Sequence, residues 1–397
     1  IAPKRIPSGQ HLPIVVRIRN SDGEINPIEQ TPVELAFGGA RADSVIAIKR
    51  GAGTGVVRID ATADFELSVG NGAVPSVEKE IEISDVPTVV HEGTLPAGEV
   101  VWDSSADHLV TGDVTVPVDC HLILEPGAWV MIGKYVNFVV KGQVSARGTE
   151  EEPVVITSSD WDEPWGGMEF YGGVASFKYC MVLNGGGDLS KGFWHTLHQH
   201  IFYAANDSEF EFDHCFFLNS PGKVFGGLDS RVTISNSVSS FVWHGGEFHR
   251  SLLFYRDSHL MNLPNDDHIY EEDIDTDGLH INHIHLNYPE PSVIERCYFV
   301  TGKDDAIDHH FARLKISDCW LEDFMHEGVA ASGGDTVKIS NTVSLNNDQG
   351  FEAGYSDTDR GVTKGPYLFI DHSVAVGNNV GLRIGDNYFY EYRDYVQ

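Results

Sequence analysis

The sequence predicts an all-β molecule, with a right-handed parallel β-helix over residues 93–397 preceded by a small immunoglobulin-like β-sandwich over residues 1–92. Three observations lead there. A motif recurs about every 22 residues, no helical periodicity lasts beyond a turn or two, and glycine (41 of 397) and aromatic residues (11%) are abundant enough for turn-rich strands.

The repeat emerges when the chain is slid against itself. Segments 175–180, 210–215, 232–237, 314–319, 337–342 and 368–373 share alternating apolar positions and end on a small residue: Cys180, Cys215, Ser237, Cys319, Thr342 and Ser373. Asp257 and Cys297 read as two further members of this column. A unit of this length with strand-like alternation is one coil of a parallel β-helix, whose coils stack about 4.8 Å apart around a continuous core. The five cysteines are an odd number with no CxxC pair, which argues against a disulfide framework and a cysteine zinc site. Four of them fall in the column as reduced, structural residues. In residues 1–92, short alternating runs at 14–18, 33–37, 45–48, 56–59 and 65–69 recur at sandwich spacing, with 85–98 as the linker. No chemical constellation is legible there.

The formal charge of -32, from 27 basic and 59 acidic residues, excludes nucleic acid and anionic membrane surfaces as partners, because both are bound through Lys and Arg. No apolar stretch of about 18 residues exists, so membrane insertion is not expected. The start at Ile1 reads as a processed or trimmed chain, from which a secreted or cell-surface location is inferred. At the other end, residues 388–397 read as the start of a further coil. Nothing in the sequence sets an oligomeric state.

A second register runs through the coils. Small residues lead strands whose inward positions are Leu279, Ile307, Val329, Phe351 and Leu382, so His280, Asp308, Ala330, Glu352 and Arg383 should form one exposed row, with Glu247 one coil earlier. Asp277, Asp305, Glu327 and Gln349 form a parallel row that His244 precedes. Insertions at 185–208, 262–275 and 355–366 interrupt coils beside these rows, where long loops commonly wall a binding site.

Like charges at one coil spacing raise each other's pKa, as a general acid requires, and carboxylates on adjacent or alternate coils have separations useful for cleaving a glycosidic bond. At this point the chain resembles the polygalacturonases, pectin-degrading glycoside hydrolases among the pectin-lyase-like parallel β-helix proteins. Asp275-Thr276-Asp277-Gly278 looks like that family's Asn-Thr-Asp-Gly, and Asp304-Asp305-Ala306-Ile307 looks like its Asp-Asp-Cys-Ile. Met325-His326-Glu327-Gly328 is similar to its Gly-His-Gly, and Gly381-Leu382-Arg383-Ile384 to the start of its Arg-Ile-Lys motif. The resemblance implies Asp304 as general acid, Asp277 and Asp305 as the groups activating water, His326 as their support and Arg383 as a grip on substrate, with Asp308 on the same face. The sandwich-plus-helix order also resembles large secreted proteins that carry a spore-coat-protein-H-like domain.

Two other chemistries pass through the same residues. His195, His198 and His200 share the spacing H-x2-H-x-H with His280, His283 and His285, and His309-His310 lies one coil on. His283 and His285 could share a metal, and His280, Asp308 and Glu247 are the metal ligands expected from coil stacking. Segment 265–277 is dense in hard oxygen ligands and reads as a Ca²⁺ loop. Calcium is therefore the expected cofactor ahead of zinc or copper. The function expected is a secreted carbohydrate-active enzyme on a polysaccharide, a glycoside hydrolase rather than a lyase, because Lys303 and Arg383 are the only basic candidates near the face. The alternatives are a non-catalytic glycan- or calcium-binding surface module and a histidine-ligated copper or zinc protein.

Overall fold

The computed structural model describes residues 1–39, 43–72, 75–264, 276–285, 287–359 and 361–385. Among them every regular element is a strand except two short 3-10 turns, at Leu189–Lys191 and His195–Leu197. It is a parallel β-helix. Each typical coil supplies one strand to an 11-stranded parallel sheet running from Gly98–Trp102 to Pro366–Asp371, and two to a second sheet wrapped around the same core. One such coil is Leu252–Arg256, His259–Met261 and Leu279–Asn282. The first coil opens earlier than the sequence suggested, because Thr88–Thr94, expected as linker, pairs in parallel with Asp107–Val116.

The small-residue column has a hydrogen-bonding cause. The Oγ of Ser237 accepts from the Cys215 N–H at 3.0 Å, that of Ser258 from the Ser237 N–H at 3.0 Å, and that of Ser373 from the Thr342 N–H at 3.2 Å. Only a short side chain can serve the coil before it in this way. Asp257 is not in this column; Ser258 is. Asp257 belongs one position earlier, with Tyr179, His214, Asn236, Arg296, Asp318, Asn341 and His372, all at φ between 45° and 57°. This left-handed residue turns each coil from one sheet into the next. Asp257 itself faces outward and pairs with Arg296 at 2.6 Å.

Residues 1–84 form a five-stranded sheet (Arg5–Pro7, Val77–Ser84, Phe65–Gly70, Val33–Ala36, Ser44–Ile46) and an antiparallel pair, His11–Arg17 with Ala52–Arg58. Ile14, Leu35, Phe37, Ile46 and Ile81 share their core with outward side chains of the helix, among them Trp129, Met181, Leu183, Phe216 and Leu218. That contact explains why Cys180–Leu183 is buried at every position: one face packs inside the coil and the other against the N-terminal unit.

Candidate functional site

The strand register builds the two rows the sequence anticipated. Glu247 pairs with His280, His280 with Asp308, Asp308 with Ala330, Ala330 with Glu352 and Glu352 with Arg383. In the neighbouring row the Gly278 N–H donates to the Asp305 carbonyl at 2.7 Å and the Ala306 N–H to the Glu327 carbonyl at 2.9 Å. The leading residue of each strand must be small because coils nearly touch there: a Cβ on Gly278 would lie 2.3 Å from the Ala306 carbonyl oxygen.

The first row is not exposed, contrary to the strand-alternation argument. Glu247, His280 and Glu352 retain 0%, 2% and 5% of their accessible surface, and Asp308 and Arg383 are only partly open. At the start of the row the insertion after Leu183 is the cover: the His195 N–H donates to Glu247 and the His195 ring sits edge-on to His280 at 4.2 Å between centroids, whereas Glu352 lies against Glu327 and Arg383 of the neighbouring coils. Asp277, Asp304, Asp305, His326 and Glu327 are buried as well.

Two clusters result. In the acid cluster, His326 Nδ1 lies 3.2 Å from Asp304 Oδ1, 3.2 Å from Asp305 Oδ1 and 2.6 Å from Glu327 Oε2. Burial alone would strip its proton, but the three carboxylates raise its pKa far above the ordinary histidine range. Burial and the neighbouring Glu327 push Asp305 well above the usual carboxylate range, and the same two causes push Glu352 up to about 8. Glu327 goes the other way: burial opposes ionisation, yet the hydrogen bonds of His326 and Asp305 hold it below its ordinary value. Gln349 Nε2 donates to Glu327 Oε1, and Arg383 reaches Glu327 at 3.8 Å and Glu352 at 3.7 Å. Backbone amides fix the pair beneath: Thr276 N–H donates to Asp304 Oδ2 at 3.1 Å and Glu327 N–H to Asp305 Oδ1 at 2.8 Å.

The second cluster contains one ligand atom each from His195, Asp277, His280 and Asp308, all within 4.8 Å of one another. His280 Nδ1 lies 2.5 Å from Asp308 Oδ2, and His244 Nε2 lies 3.6 Å from Asp277 Oδ2. Burial works to raise the pKa of Asp308, but His280 outweighs it and holds the group at about 2. The structure thus places Asp277 among histidines, apart from the Asp304 and Asp305 side chains with which the sequence grouped it. Glu247 is in the expected row but is engaged by Lys223, whose buried Nζ lies 2.5 Å from its Oε2. His283 and His285 separate: His283 Nε2 faces Asp359 at 3.5 Å, while His285 Nδ1 accepts from the Asn287 and Tyr288 N–H groups. The calcium loop expected over 265–277 lies outside the described residues except for its last two positions.

Lys223 was missed by sequence reading, although it pairs with His244 and so stands one coil before it in the second row. His195 was flagged only by its spacing. Two grooves of about 710 and 730 Å³ meet at Thr301. One is walled by Trp161, Phe241 and Trp243, and the other reaches Met325 and Asp348, the chain neighbours of His326 and Gln349.

No protein-family model matches the chain, and no curated protein matches it. Among solved structures it is similar to the catalytic domain of a GH87 α-1,3-glucanase in complex with nigerose, with a TM-score of 0.43 and 9% identity over 95% of this chain and 88% of that one. A variant of the periplasmic alginate epimerase AlgG gives a TM-score of 0.44 and 8% identity over 72% and 75%. The catalytic unit of a GH87 α-1,3-glucanase from Streptomyces thermodiastaticus gives 0.30 and 8% over 95% and 87%.

Proposed function

We propose that the chain is a secreted carbohydrate-active enzyme, a glycoside hydrolase that cleaves a polysaccharide lying beside the acid cluster. The observation that carries this reading is the gathering of Asp304, Asp305, Glu327 and Glu352 around His326 and Arg383, with neighbouring carboxyl groups driven in opposite directions. Such divergence is how a site keeps one carboxyl protonated as acid beside another that stays ionised. Asp305, the carboxyl kept neutral, takes the proton-donor role that the resemblance gave to Asp304, and Glu327, held below its ordinary value by His326 and Asp305, is its ionised partner. His326 carries the positive charge that lets both sit so close, and Arg383 orients Glu352. The groove past Met325 and Asp348 supplies a path for a polymer, and the Trp161 and Trp243 rings give sugar faces a surface on which to stack.

Incubation with a panel of polysaccharides should release new reducing ends without the ultraviolet absorbance of an unsaturated product. Asp305→Asn should lower that rate about 100-fold or more, in line with loss of a positioned acid. A second reading, a non-catalytic glycan-binding module, is favoured by the burial of the same carboxylates, which a structural ion-pair cluster would also show. It expects no new reducing ends from any glycan and unchanged glycan binding in Asp305→Asn.

A further inference from the structure

We propose that His195, Asp277, His280 and Asp308 bind one divalent transition-metal ion of the zinc class. The four donors come from three stretches of chain: His195 from the insertion, Asp277 and His280 from the junction into the strand Leu279–Asn282 and that strand itself, and Asp308 from the adjacent coil, paired with His280. Their ligand atoms all lie within 4.8 Å, close enough for a single ion to draw them in to bonds of about 2.0–2.2 Å. Two imidazoles and two carboxylates sum to a charge of about −2 when the rings are neutral, which a dication cancels. Calcium takes 6–8 oxygen ligands and prefers no imidazole, so this donor set does not suit it.

What surrounds the donors supports this assignment. Buried Glu247 accepts from the His195 backbone N–H at 3.1 Å, and Lys223 Nζ, itself paired to Glu247, donates to the backbone carbonyls of Phe193 and, at closer range, His195. A buried ion pair is an expensive way to hold a surface loop. It delivers one ring, His195, onto the row.

Behind Asp277, His244 Nδ1 accepts from the Gly246 N–H at 3.0 Å, which leaves Nε2 as the ring's donor nitrogen, 3.6 Å from Asp277 Oδ2. This is the outer-shell arrangement that orients a ligating carboxylate. The assignment also explains why Asp277 stands apart from Asp304 and Asp305. It rests on the donor geometry alone and holds whichever function the acid cluster serves.

The test is elemental analysis of untagged protein purified without chelator, followed by stripping with dipicolinate and calorimetric titration with zinc. The wild type should take up one equivalent, and its melting temperature should rise with zinc. His195→Ala lies on the loop and spares the core, and His280→Gln keeps the bulk of the ring; each should weaken zinc binding about 100-fold or more and abolish the thermal shift. Asp304→Asn should bind zinc like the wild type, which separates this site from the acid cluster. Stripped protein that takes up no zinc, protein that binds only calcium, or full affinity in both histidine variants would each overturn the proposal.

Discussion

Glu352 shows how one side chain is governed by what the coils stack around it. Its carboxyl is raised to about 8 by burial and by Glu327, against an ordinary value of about 4.3 in an unfolded chain. Between those values the folded state holds a proton that the unfolded state has lost, so stability must fall as pH rises through this window. Glu352→Gln removes this dependence: denaturant midpoints measured from pH 5 to pH 8 should decline less steeply in the variant than in the wild type. An equal slope would show that Glu352 ionises normally in the fold. His326 runs in the same sense, since its raised pKa lends stability that is fully present below about 6.5 and lost only as pH climbs towards the folded value.

That carboxylates one coil apart raise each other was legible in the sequence; which neighbour acts on Glu352, and how deeply it is buried, was not. Glu352 stood in the expected row, but its neighbours depend on which coil covers which. Lys223 continues the second row one coil before His244, but its function is fixed by Glu247 on the next coil and by a loop folding back.

At the scale of the strand and its turn, much was legible because it repeats. The period of the small column identified the coil, and the register it implied placed Glu247, His280, Asp308, Glu352 and Arg383 in one row, as the backbone pairing shows. The slip at Asp257 has a specific origin. In that coil Arg256 and Asp257 stand where the preceding coil has Ser235 and Asn236, and Asp257, being small and polar, imitates the ladder residue one place too soon.

The left-handed column beside the ladder gives an expected outcome. Asp318 is exposed at φ 57°, a conformation that Asp tolerates and β-branched residues do not. Asp318→Val should cost about 1–2 kcal/mol, whereas Asp318→Gly should be near neutral because glycine's freedom offsets the lost hydrogen bond from Asn341. Paired urea denaturation curves measure the difference, and equal stabilities would show that the turn conformation is not what the column conserves.

Across the whole molecule, the least legible feature was contact between parts distant in sequence. Alternation predicted that alternate residues of each strand face solvent, and it failed in two places: along the row that begins under the insertion after Leu183, and along the strands covered by residues 1–84. The second failure left a trace, since Cys180–Leu183 and Phe216–Leu218 are apolar on both faces. The N-terminal unit is tied to the helix by more than that apolar surface. Arg50 makes a paired contact with Glu322, 2.5 Å from Nε and 2.7 Å from Nη2, while its guanidinium lies 4.0 Å over the Trp320 ring. Trp129 Nε1 donates to the Arg5 carbonyl at 2.7 Å, and Lys49 Nζ donates to Thr301 Oγ1 at 2.7 Å on the wall of the groove.

Interfaces of this kind, apolar at the centre with mostly buried ion pairs, couple the units they join into one cooperative transition. Removing one partner of such a pair leaves the other charge buried and costs about 3–5 kcal/mol. Arg50→Ala should therefore lower the thermal midpoint and split a single calorimetric transition into two, the first accompanied by proteolytic cleavage within residues 85–87, between the strands Val77–Ser84 and Thr88–Thr94. Arg50→Lys, which keeps the charge but not the two-pronged contact or the flat stacking on Trp320, should fall between the variant and the wild type. A wild-type protein that already melts in two steps, with residues 1–84 released first, would show that the two parts merely touch.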